Sequence, residues 1–144
     1  MEIAPDMHGL VKRQAALEDV LKRFRGRRCD FVKADCVRLA RADLVALGHQ
    51  PPQMPCYRTL IGAKRALTKA GFDDLAAMFD SLLPRIPAAR LLPGDVVVML
   101  DGEERWGKGA AAVWVGNGKA LGFHPGAAGA AILVPNRIEA AWRA

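Results

Sequence analysis

The chain has 144 residues, of which 51% are apolar, and 21 Lys/Arg stand against 15 Asp/Glu for a net charge of +6. That balance excludes a disordered, collagen-like or coiled-coil chain and suits one domain over residues 1–144. No apolar run approaches the roughly 20 residues of a membrane helix. The opening MEIAPDMHGLVKRQ also lacks the apolar core of a secretion signal, so synthesis in a cytoplasm is the expectation.

In chain order, the first half reads as helices. Leu10, Leu17, Val20, Leu21 and Phe24 form one stripe of a helix over about residues 9–26, with Gly26 as its stop. Residues 1–30 therefore read as an N-terminal helical extension. Asp35 is a good N-cap for a second helix that runs to about Leu47 and buries Cys36, Leu39, Ala40, Leu44 and Leu47. The prolines of HQPPQMPCY (49–57) forbid regular structure there. A third helix is expected over about 58–70, with Thr59 as a capping oxygen, and a fourth from near Asp73, presenting Leu75, Met78, Phe79 and Leu82. Pro84 and Pro87 then break the chain.

The second half reads as strands. Asp95–Leu100 is a central strand by its apolar run. A polar turn over 101–109 leads to a strand over Ala110–Val115. Asn117-Gly118 is a hairpin turn that returns the chain through Ala120–His124. A turn over Pro125–Gly129 precedes a strand over Ala131–Val134. The tail Arg137–Ala144 is expected to be a short helix anchored by Trp142. The sum is α+β: N-terminal helices packed on a C-terminal antiparallel sheet.

Charge is unevenly placed. Residues 1–92 carry 16 Lys/Arg against 10 Asp/Glu, and residues 93–144 carry 5 against 5. The run Lys22, Arg23, Arg25, Arg27, Arg28 suits a nucleic acid or an acidic protein surface, but also a solvated helix end. Aromatic and Gly-rich nucleic-acid motifs are missing beside it, which favours the solvated end.

The reactive candidates are few. Cys29, Cys36 and Cys56 have neither disulfide-framework nor zinc spacing, so no metal and no cofactor is expected. Cys36 opens an amphipathic helix, where the helix N-terminus lowers a thiol pKa. Its apolar neighbours and Asp35 raise it. A free cysteine in such a place is more often a small apolar core residue. A nucleophile also needs an imidazole base held by an orienting group. His8 lies before the first helix and reads as a surface residue, and His49 follows the end of the Cys36 helix, about 20 Å away at helical rise. His124 is the one credible base, and a solvent-facing residue at a strand end is its alternative reading.

These pieces resemble the NlpC-like, papain-fold cysteine peptidases and amidases that cut cell-wall stem peptides. That family's pattern is Asp-Cys opening a helix, then Gly-Asp and an apolar strand, then a strand that begins with the catalytic histidine and runs into a Gly-containing hairpin. Here the matching residues are Asp35-Cys36, Gly94-Asp95-Val96-Val97-Val98, and Ala110 to Lys119. The histidine position falls on Ala110 or within one residue of it, and no histidine lies between Cys56 and His124. The chain is also similar to a group of proteins encoded in prophage tail modules. These share a Phe ahead of Asp-Cys, a Tyr-Arg-Thr/Ser segment leading into a Gly-Ala helix, Gly-Asp-Val-Val and a late Ala-Trp-Arg. The counterparts are Phe31, Asp35-Cys36, Tyr57-Arg58-Thr59 with Gly62-Ala63, Gly94-Asp95-Val96-Val97, and Ala141-Trp142-Arg143.

The resemblance implies a catalytically degenerate tail-tip or tail-hub component, made in a bacterial cytoplasm and carried in a virion tail. Its partners would be other tail proteins. The alternative it implies is an active hydrolase of peptidoglycan, with Cys36 as nucleophile, His124 as a displaced base, and Asp35, Gly94 and Asp95 in support. A basic nucleic-acid module is a distant third.

Overall fold

A computed structural model describes residues 5–53, 56–100, 109–124 and 127–144. Four helices come first: α1 Pro5–Phe24, α2 Cys36–Ala46, α3 Leu60–Lys69 and α4 Leu75–Leu82. Three of them start on the side-chain caps that their sequences offer. Asp35 accepts from the N–H groups of Val37 and Arg38, Thr59 from Gly62 and Asp74 from Ala77. Each cap satisfies amide donors that the first helical turn leaves unpaired. Leu17, Val20 and Phe24 of α1 are buried as expected, whereas Leu10 is 45% exposed. The expected stripe on α1 therefore starts one or two turns late.

The strands are β1 Arg85–Ile86, β2 Val96–Met99, β3 Ala110–Gly116, β4 Lys119–Gly122, β5 Ala131–Leu133 and β6 Ile138–Trp142. They form one six-stranded sheet in the order β1-β6-β2-β3-β4-β5, antiparallel throughout. The β3–β4 hairpin turns at Asn117-Gly118, with φ of 54° and 74°. Such positive values are what a tight primed turn demands. The polar turn expected over 101–109 lies outside the described residues except for Gly109.

Two expectations are corrected. The tail is not a helix: β6 lies between β1 and β2 and pairs along Val96–Met99. Its helix-like content, Glu-Ala-Ala-Trp-Arg, is overridden by burial of Ala140, Ala141 and Trp142 on a sheet that needs a neighbour for β2. The other correction is the short strand β1, between the two prolines that were expected only to break the chain. Arg85 and Ile86 pair with Trp142 and Ala141 at the edge of the sheet, where proline is tolerated.

The main core lies between the helices and one face of the sheet. Leu39, Leu44, Phe79, Val96, Val98, Ala111, Val113, Leu121 and Trp142 meet there. Val97, Met99, Ala112, Ala120 and Ala141 form a smaller apolar cluster of their own, with Ile86, Leu91, Trp114, Leu133 and Ile138 against it. The alternation of Val96/Val98 against Val97/Met99 is the strand period of two.

Candidate functional site

The Asp35-Cys36 step places Cys36 at the first position of α2, and α2 packs on β3. Cys36 is 1% exposed and lies in the main core. Burial, first, and the charge of Asp35, second, push its thiol well above the ordinary cysteine range. The backbone N–H of Ala111 opposes them and is too weak to win. At neutral pH Cys36 is therefore a thiol and a poor nucleophile.

Asp35 is fully buried and has four donors around it. One carboxylate oxygen accepts from the N–H groups of Val37 at 3.0 Å and Arg38 at 2.9 Å. The hydroxyl of Tyr57 donates to both oxygens, at 3.2 and 3.1 Å. The Arg38 guanidinium pairs with the second oxygen, donates to the Tyr57 carbonyl at 3.2 Å and lies 4.1 Å from the Tyr57 ring centre. Burial and the Asp35 charge hold the Tyr57 hydroxyl firmly protonated, so it acts as a donor. The Tyr-Arg-Thr segment is thus tied to Asp-Cys through space. Sequence reading placed Tyr57 only at the start of α3 and missed this link, although both motifs were visible.

The Gly-Asp and Ala-Trp-Arg motifs converge in the same way, at a second cluster. Asp95 is fully buried and accepts from Arg13 at 2.8 Å, Arg143 at 2.9 Å, the Ala144 N–H at 2.9 Å and the Leu92 N–H at 2.9 Å. Gly94 has φ of 90°, and a Cβ there would lie 3.5 Å from Leu47 and 3.7 Å from Asp43. Asp95 ties α1, the start of β2 and the end of β6 together. Asp43 of α2 lies beside them. Its carboxyl is buried, has no hydrogen-bond partner among the described residues, and is held neutral by burial, with a pKa of about 8.

His124 sits just past β4 and is half-buried. Leu121 and Phe123 belong to the helix-facing core with Cys36, and Ala120 belongs to the opposite cluster. Asp35, Cys29 and the Ala111 backbone all act on the Cys36 thiol. His49 is exposed beyond the end of α2, and His8, expected before the first helix, lies within α1, which starts at Pro5. The residue that meets Cys36 from β3 is Ala111, next to Ala110. No group of three or more His, Cys, Asp or Glu among the described residues is arranged to hold a metal.

Solved structures share this fold. The chain is similar to NlpC2 from Trichomonas vaginalis, with a TM-score of 0.57, 15% identity and coverage of 92% of this chain and 46% of that one. It is also similar to NlpC1 from Trichomonas vaginalis, with a TM-score of 0.52, 15% identity and coverage of 99% and 45%. The chain thus spans about half the length of these two proteins. At such identity the likeness is one of fold, and the fold is NlpC-like. No curated protein sequence matches the chain. A family model described as a domain of unknown function, DUF6950, matches residues 10–144, and the chain belongs to that family.

Proposed function

We propose that this protein is a catalytically degenerate NlpC-like scaffold that acts by binding other proteins in the tail tip or tail hub of a phage or prophage. The observation that carries the degenerate reading is the state of Cys36. Its thiol is buried, is pushed towards the neutral form and meets the Ala111 backbone of β3, next to Ala110, the position at which the family pattern would carry its histidine. A nucleophile without a base within hydrogen-bond reach loses most of its rate. The tail reading rests on the shared order of Phe31, Asp35-Cys36, Tyr57-Arg58-Thr59, Gly94-Asp95 and Ala141-Trp142-Arg143. Two buried clusters account for four of those residues as scaffold: Asp35 with Tyr57, and Asp95 with Arg143.

The test of degeneracy is release of soluble fragments from purified peptidoglycan, read by mass spectrometry. Wild type, Cys36→Ala and His124→Ala are compared beside an active NlpC-like enzyme. The expected result is no release by any of the three. Release by wild type that is lost in both variants would make the chain a hydrolase with a relocated base. For the tail role, the chain is expected at fixed stoichiometry in purified tail-bearing particles; particles that lack it would overturn the assignment.

A further inference from the structure

Two neighbouring depressions flank α2 and do not include Cys36. The first is a basic cleft of about 350 Å³. Four of its lining side chains are cations, Arg23, Lys33, Arg38 and Arg41, and none is acidic. Arg38 is committed to Asp35. Arg23 rests on its neighbour Phe24, and Arg41 reaches only the carbonyl of Pro51, at 3.4 Å. Among the described residues Arg23, Lys33 and Arg41 form no ion pair, so three positive charges face this cleft uncompensated. The second is an apolar pocket of about 120 Å³ between α2, α3 and α4, floored by Leu44, Leu67 and Phe79. Arg41 and Gln53 line both, so the pocket and the cleft share a wall.

The sizes and chemistry select an occupant. A cavity of about 150 Å³ lined by Leu, Ile and Phe admits benzene. The smaller pocket therefore suits one leucine or phenylalanine side chain. A nucleic-acid base is a poor fit, because its edge atoms would be buried with almost no polar partners. The cleft beside it calls for carboxylates, which three unpaired cations would attract and align with charge-assisted hydrogen bonds.

We infer that this face of α2 is a docking site for an acidic peptide segment of a partner protein, with one Phe or Leu side chain in the apolar pocket and flanking carboxylates in the basic cleft. It extends the scaffold reading by naming a surface and a partner chemistry, and it does not depend on whether Cys36 is catalytic.

The test is fluorescence anisotropy on the full chain. The probe is a fluorescein-labelled peptide of Asp and Glu residues around a single Phe. Its control has Ser in place of Phe, and a labelled single-stranded oligonucleotide competes. Binding is expected to weaken at least 10-fold with the Ser peptide. The exposed changes Arg23→Glu and Lys33→Glu together should weaken it at least 10-fold. Ala70→Leu, which fills the pocket from its rim, should weaken it at least 5-fold, with each variant confirmed folded by circular dichroism. No binding of the Phe peptide, equal binding of the Ser peptide, or insensitivity to the charge reversals would overturn the inference. So would an oligonucleotide that binds where the peptide does not.

Discussion

At the scale of single residues, buried carboxylates decide most of what distinguishes this molecule. Asp35 and Asp95 are both inaccessible and both fully satisfied, by backbone N–H groups and by arginines. Removing either would strand a guanidinium and several donors, which is the costly way to lose a buried interaction. Asp43 is the contrast. It shares its surroundings with Arg13 and Asp95, and burial wins over Arg13, so the neutral acid is the folded-state form up to a pH of about 8. An unfolded aspartate titrates near 3.8. Between that pH and about 8 the folded chain holds one more proton than the unfolded chain, so stability falls as pH rises through this window. A tenfold change in proton affinity corresponds to about 1.4 kcal/mol. Urea denaturation at pH 5 and pH 8 is therefore expected to show wild type losing at least about 1 kcal/mol more than Asp43→Asn over this interval. Equal losses would mean that Asp43 is ionised in the fold.

At the scale of elements, the segment between α1 and α2 is a tightly held strap. Gly26 donates to the Ala130 carbonyl at 2.7 Å, and Ala130 donates back to the Arg27 carbonyl at 2.8 Å. Further along, one Asp30 oxygen accepts from the N–H groups of Val32, Lys33 and Ala34 at 2.9, 2.9 and 3.0 Å. Phe31 is buried at a positive φ of 58°, an uncommon conformation for a residue with a side chain, which the surrounding bonds impose. Cys29 on this strap is near enough to act on the Cys36 thiol. Gly129 is where the strap meets the sheet: a Cβ there would stand 2.5 Å from the Gly26 oxygen and 2.8 Å from the Arg27 oxygen. Both are backbone atoms and have no rotamer to yield. Gly129→Ala is expected to cost about 2 kcal/mol in denaturation and to speed alkylation of Cys36 at least threefold. Gly9→Ala in α1, whose Cβ meets nothing within 4 Å, serves as the clash-free control and is expected to leave alkylation unchanged while adding about 0.5–1 kcal/mol of helix stability. Unchanged alkylation in Gly129→Ala would show that the strap does not shield the thiol.

At the scale of the whole molecule, local signals determined much from the sequence. The caps at Asp35 and Thr59 and the Asn117-Gly118 turn act over a few residues and read directly. So did the apolar run of β2, and with it the α+β class. The buried face Cys36, Leu39, Ala40, Leu44 and Leu47 was legible because helical spacing is itself a local property. Three things were decided only by tertiary structure. Ile138–Trp142 became a strand because β2 needed a partner and the buried sheet outweighs helix propensity. Tyr57 and Arg143 found Asp35 and Asp95 across 22 and 48 residues of chain, separations that no spacing rule encodes. The Cys36 thiol was left by the sequence between a helix N-terminus that favours its charge and an apolar face that opposes it. Packing against β3 removed the solvent and gave the result to burial, because desolvation is a property of the assembled core and not of the helix that carries the cysteine.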